Sequence, residues 1–228
     1  MLHDQRLPDL LDAFSSSDPT PGGGSAAALL GALGASLLAM VAGMPKTKSN
    51  TPEERAALDA ARARLLELRK TLMELIDRDA GAYDRVVAAY RRPKSTDEEK
   101  AARSGAIQAA LKHATEIPLE TLTACGEVVE AGRTVAASGN PSAISDVTVG
   151  LQTLMTAMSG AMLNVQMNLG SVKDAAFVEA TRVAVRRGLE SMGATMRAIM
   201  TSPEFMELQR QSSALLGDED LNVFGTYD

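Results

Sequence analysis

Apolar residues recur at spacings of three and four along most of this chain, and no segment shows the strict alternation of a half-buried strand. The pattern therefore predicts an all-α protein: a multihelical array of long antiparallel helices in a single domain spanning residues 1–228. A short helix is expected over 7–14 and a second over 25–44. The third opens with Thr51-Pro52-Glu53-Glu54, a capping box with Pro at the first helical position, and runs to Tyr90. Thr96-Asp97-Glu98-Glu99 is a second capping box, and its helix is broken or kinked at Pro118 before resuming to Ala137. Gly139-Asn140-Pro141 reads as a turn. Further helices are expected over 142–169 and 174–200, with a short one opening at Ser202-Pro203-Glu204 and a loose tail from about Gly217.

Two stretches carry no charged side chain, 19–45 and 147–172. In the first, Ala28, Ala32, Ala35, Ala39 and Ala42 form a row that lets a neighbouring helix approach closely. Leu30, Leu33, Leu37, Met40 and Met44 form a second row, expected to fill a core. Both stretches are long enough to cross a membrane. The first, however, is built mainly from Ala and Gly, and the second contains Gln152, Asn164, Gln166 and Asn168. Mean hydropathy is −0.04. The pattern reads better as two central helices buried on all sides at a subunit interface, so a homodimer with no membrane partner is expected.

Composition narrows the partners. The net charge of −6 argues against nucleic acid, which needs a basic surface. With no Trp, three Tyr and four Phe, a base-stacking platform is also disfavoured. The single cysteine, Cys125, rules out an internal disulfide and fits a reducing, cytoplasmic setting. The N-terminus lacks a basic-then-apolar signal pattern. Two histidines, His3 and His113, with one cysteine do not make a zinc site, so no metal is expected.

Candidate chemistry starts at Pro19-Thr20-Pro21-Gly22-Gly23-Gly24-Ser25. Ser25 stands where an N-cap belongs, and the bare run Gly22, Gly23 and Gly24 suits either a plain helix entry or the edge of a polar or anionic ligand. No Gly-Lys-Ser/Thr follows and no strand precedes, which excludes a P-loop and a dinucleotide fingerprint. On the third helix the stripe Leu65, Leu68, Leu72, Ile76, Tyr83, Val86 and Tyr90 is completed by Asp79. A carboxylate there is either a structural partner or a general base or counter-charge for a cationic substrate. Asp77 points elsewhere and reads as a solvated surface charge. Asp146 opens an otherwise uncharged helix whose small, polar face (Gly150, Thr153, Ala157, Gly160, Asn164, Asn168) suits a close helix contact or a slot for a planar ligand. Asn140 fits a turn. Lys46, Lys48, Arg91, Arg92 and Lys94 sit in loops, as solvated charge or as anion-binding groups.

Four segments in order resemble one family. Pro19 to Ser25 running into an Ala-rich helix resembles the opening of the formiminotransferase-cyclodeaminase C-terminal domain, whose stand-alone members include methenyltetrahydrofolate cyclohydrolases. Asp79-Ala80-Gly81-Ala82-Tyr83, Gly139-Asn140-Pro141 with Ser145-Asp146, and Asn164 with Asn168-Leu169 resemble its later motifs. The resemblance covers residues 7–200. It implies an all-α homodimer acting on a tetrahydrofolate derivative, with no further cofactor. The implied reaction opens 5,10-methenyltetrahydrofolate to 10-formyltetrahydrofolate, with Asp79 or Asp146 as base or cation stabiliser. The alternatives are cyclodeamination of formiminotetrahydrofolate and a catalytically silent folate-binding dimer. The resemblance also places Gly22, Gly23, Gly24, Ser25, Tyr83, Asn140, Asn164 and Asn168 at the substrate. Lys46, Lys48, Arg92 and Lys94 are placed near its glutamate tail.

Overall fold

The computed structural model describes residues 1–44, 50–203, 205–207 and 210. Six helices account for most of them: α1 Leu7–Ser15, α2 Gly23–Gly43, α3 Pro52–Tyr90, α4 Asp97–Ser138, α5 Ile144–Leu169 and α6 Ala175–Met200. Two short 3₁₀ turns, Leu2–Asp4 and Pro141–Ala143, precede α1 and α5, and no strand occurs among the described residues. Lys46, Lys48 and the tail beyond Gly217 lie outside the described residues.

Both capping boxes form. The Glu54 amide donates to Thr51 Oγ1 at 3.2 Å while Glu54 Oε2 accepts from the Thr51 amide at 2.8 Å. Thr96 and Glu99 repeat the arrangement at the start of α4. A cap of this kind contributes about 1 kcal/mol. Asp174 caps α6 through the amides of Ala176 and Phe177.

α2 is the central element and packs on α3, α4 and α5. Its Ala row is buried as expected. At Gly34 the helices come so close that a Cβ would meet Leu154 and the Gly150 carbonyl. The Leu/Met row behaves differently from expectation. Leu33 is 49% and Met40 44% exposed, and Leu30, Leu37 and Met44 are half-buried. Close approach through small residues puts the Ala face inward and leaves the bulky row outside. α5 is likewise two-sided: Val147, Leu151, Leu154, Met158 and Val165 are buried, whereas Val149, Leu163 and Met167 are exposed. The charge-free helices are thus not buried on all sides within one chain. By length and composition α2 could cross a membrane, but its Ala face belongs to the helical core.

α4 neither breaks nor resumes at Pro118; one helix runs through it. Proline has no N–H to offer the carbonyl four residues earlier. That carbonyl, on Ala114, accepts instead from the Asn168 side-chain amide at 2.7 Å. Asn168 on α5 supplies the donor that α4 lacks.

Candidate active site

The N-terminus of α2 meets the middle of α3 at one carboxylate. Gly22, not Ser25, is the N-cap of α2, and Ser25 lies inside the first turn, fully buried. Its hydroxyl is 2.9 Å from the Ile76 carbonyl and 3.0 Å from Asp79 Oδ2. A Cβ on Gly24 would collide with the same carboxylate, so only glycine admits it. Ser25 therefore holds Asp79 from a fully buried position. The carboxyl of Asp79 is pushed above its ordinary range by burial, with the Ser25 hydroxyl and amide opposing that shift. It has no ion pair among the described residues.

The hydroxyl has one proton and two acceptors. With Asp79 ionised, that proton serves the carboxylate. With Asp79 protonated, the acid donates to Ser25 Oγ and the hydroxyl turns to the Ile76 carbonyl, which can only accept. The site thus accommodates both protonation states without moving a heavy atom, as an acid–base group requires.

One turn further along α3, Tyr83 lines a cavity of about 730 Å³ with Asp18, Pro19, Thr20, Asp84, Val87, Ala88, Arg91 and Arg92. Tyr83 and Tyr90 are exposed while Val86 stays half-buried against the core, so beyond Ile76 the expected apolar stripe is only partly kept and Tyr83 becomes a cavity wall. Sequence reasoning placed Arg92 here but missed Asp18 and Asp84. Arg85 and His113 were also not foreseen; with Arg92 they border a second cavity of about 460 Å³ between α3 and α4. Lys94 is exposed and lines neither cavity.

The remaining candidates divide. Asn164 donates to the Gly160 carbonyl at 2.9 Å and lies beside Gly23, so it belongs to the Asp79 end of α2. Asn168 is occupied by the Ala114 carbonyl. Asn140 accepts from the Ser142 amide at 3.0 Å as a turn cap. Neighbouring Gly139 packs on Val41, and Gly150 packs on Gly34, Leu37 and Leu38. Asp146, one turn before Gly150, therefore stands at the C-terminal end of α2. From Ser25 to Val41 the helix advances about 24 Å at roughly 1.5 Å per residue. One chain does not bring Asp79 and Asp146 together.

Asp77 is not a solvated charge. It accepts from the amides of Leu2 and His3 and contacts His3 Nδ1, which pins the N-terminal turn to α3 and lowers its pKa despite partial burial. Cys125 is fully buried beside Gly31, and burial pushes its thiol up to about 12, so it is inert.

A half-buried carboxyl whose proton affinity is raised by burial, set at a glycine-rich helix start with a cavity holding acids and arginines one turn further along α3, is the arrangement of an all-helical protein suited to acid–base chemistry. Comparison narrows that class. Residues 6–187 match the family model described as formiminotransferase-cyclodeaminase, and the chain belongs to that family. It is 42% identical over 179 residues to a methenyltetrahydrofolate cyclohydrolase of Methylorubrum extorquens, covering 78% of this chain and 86% of that protein. It is 31% identical over 181 residues to the rat (Rattus norvegicus) formimidoyltransferase-cyclodeaminase, covering 79% of this chain and 34% of that longer protein. The fold matches the crystal structure of formiminotetrahydrofolate cyclodeaminase from Thermotoga maritima with a TM-score of 0.82 at 21% identity, over 91% of this chain and 99% of that one.

Proposed function

We propose that this chain hydrolyses 5,10-methenyltetrahydrofolate to 10-formyltetrahydrofolate, with Asp79 as general base. The substrate carries a delocalised N–CH–N cation. Water attacks the central carbon and gives one proton to the Asp79 carboxylate. The carbon–N5 bond then breaks, N5 takes the proton from Asp79, and the hydroxyl proton leaves to solvent as the formyl carbonyl forms on N10. The cationic carbon also stabilises the ionised carboxylate that burial disfavours. The cavity beside Tyr83 takes the rest of the ligand. Asp18 and Asp84 offer acceptors to an amino-rich ring, and Arg91 and Arg92 offer donors to the glutamate carboxylates.

The observation that carries this reading is Asp79 itself: half-buried, without an ion pair among the described residues, and held by Ser25 at the glycine-rich start of α2. The test is turnover of methenyltetrahydrofolate above its spontaneous hydrolysis, followed by loss of the methenyl absorbance. No rate above the spontaneous one ends the proposal. The same raised proton affinity favours a second reading, cyclodeamination, in which protonated Asp79 donates to departing ammonia. Ammonia release from formiminotetrahydrofolate distinguishes it.

The protein works as a cytoplasmic homodimer in this reading. Support comes from the exposed, charge-free faces of α2 and α5, which a second copy would cover, and from the single buried thiol.

A further inference from the structure

We propose that the seam between α3 and α4 holds a second ligand, separate from the one turned over at Asp79. That ligand is an anion with a flat apolar body, its acidic group bound by the guanidinium groups of Arg85 and Arg92. The proposal stands apart from the cyclohydrolase reading, and its test needs no turnover.

Along most of the seam, acids on α4 answer arginines on α3. Glu127 pairs with Arg64, and Glu120 takes both terminal nitrogens of Arg78. One heptad further along α3 stands Arg85, and one heptad back along the antiparallel α4 the acid is replaced by His113. Arg85 Nη1 donates to His113 Nε2 at 3.1 Å. A guanidinium has donors only, so the ring accepts and leaves the positive charge uncancelled. Glu116 faces the other ring nitrogen, 3.6 Å from Nδ1. One more heptad puts Arg92 in register with Ala106, which has no side-chain acceptor at all. Among the described residues neither Arg85 nor Arg92 has a carboxylate partner. Acids outnumber bases in this chain, 29 to 23, so the lack is local and not a general shortage of partners.

The space beside these two arginines is shaped as well as charged. Ala88, Ala89, Ala106, Ala109 and Ala110 wall a cavity of about 460 Å³, within the usual range for a small-molecule site. Its only polar side chains are those of Arg85, Arg92 and His113. A slot of alanines between two helices admits a thin apolar body, and cations at its margin select an acidic edge. Arg85 and Arg92 lie about 10 Å apart on one face of α3, and their side chains are long enough to close on one acidic group between them. Phosphate and carboxylate share the paired-acceptor chemistry that a guanidinium recognises.

The probe is 2-naphthyl phosphate, titrated into the full chain by calorimetry, with inorganic phosphate and 2-naphthol as its two halves. Wild type should bind the probe and bind each half far more weakly. Arg92 lines both cavities, so Arg85, which lines only this one, is the variant that isolates the site. Arg85 is exposed, and Arg85→Ala should fold normally while weakening the probe about tenfold, the loss of one charge-assisted contact. Arg85→Lys should weaken it less. Ala109→Leu fills the slot from an exposed position and should abolish binding with the melting temperature unchanged. No binding by wild type, or equal binding by Arg85→Ala, would overturn the proposal. So would phosphate binding as tightly as the probe, which would leave a bare anion site with no use for the slot. Loss of binding in Tyr83→Ala but not in Arg85→Ala would move the probe to the cavity beside Tyr83 and overturn it too. Binding by a wild-type chain that does not turn over methenyltetrahydrofolate would end the cyclohydrolase reading and leave this site standing.

Discussion

Asp77 and Asp79 stand two residues apart on α3 and meet opposite fates. Asp77 is held by two backbone amides and His3, and its proton affinity falls. Asp79 faces the start of α2, where burial outweighs the Ser25 donors and its proton affinity rises. The same side chain becomes a structural clasp when donors surround it and holds its proton more tightly when burial outweighs them. Successive positions on a helix differ by about 100°, so a step of two turns a side chain well away from its neighbour's surroundings.

The contrast is sharpest in activity. Asp79→Asn keeps the shape and should cost about 10²-fold or more in kcat/KM, whereas Asp77→Asn should leave the rate of folded enzyme near wild type. Rate and melting temperature measured on one preparation separate the two roles. A destabilised but fully active Asp79→Asn enzyme would reverse the assignment.

Removing the donor that opposes burial should push Asp79 further in the same direction. In Ser25→Ala the carboxylate loses its hydroxyl partner, so the acidic limb of the pH–rate profile should move to higher pH. The rate at neutral pH should fall and recover as pH rises. An unmoved limb, whatever the stability, would show that Ser25 does not set Asp79's proton affinity.

Stability should tell the two carboxylates apart with opposite signs. Asp77 releases its proton more readily when folded, so its contribution is present above the unfolded carboxyl value of about 3.9 and disappears as pH falls through the lower folded value. Asp77→Asn should therefore lose roughly 1 kcal/mol in urea unfolding at pH 7, and the difference from wild type should close in acid. Asp79 binds its proton more tightly when folded, so it contributes a penalty that grows as pH rises through its raised folded value, and Asp79→Asn should relieve it.

The smallest effect is expected at Asn168. Truncation to Ala leaves the Ala114 carbonyl without a donor and should cost about 1 kcal/mol of stability with kcat/KM unchanged. A KM change would return Asn168 to the substrate.

The helices and the starts of α3 and α4 were legible because the information is local: Thr51 with Glu54 and Thr96 with Glu99 each act within one turn, and the Ala row of α2 repeats at steps of three and four. Asp79 was legible as a polar break in an apolar stripe. What the pattern hid was tertiary. Which row of α2 faces inward depends on how closely Gly34 lets α5 approach. The burial of Ser25 depends on α3. The clasp on Asp77 joins residues 74 apart or more in sequence. Asp146 and Asn140 read as members of the same site because a motif order carries no distance, and α2 separates them from Asp79 by its own length.

The proline inside α4 makes two positions on different helices answer to one another. While residue 118 is proline, the Asn168 amide is the donor for the Ala114 carbonyl. Once 118 regains an N–H, the helix can satisfy that carbonyl itself and Asn168 becomes dispensable. The order of substitution then matters: loss of Asn168 is costly first and nearly neutral second, so the pair should show a coupling energy in a double-mutant cycle. A drifting lineage could shed the asparagine only after shedding the proline, and the proline would be hard to acquire without an amide already waiting across the interface.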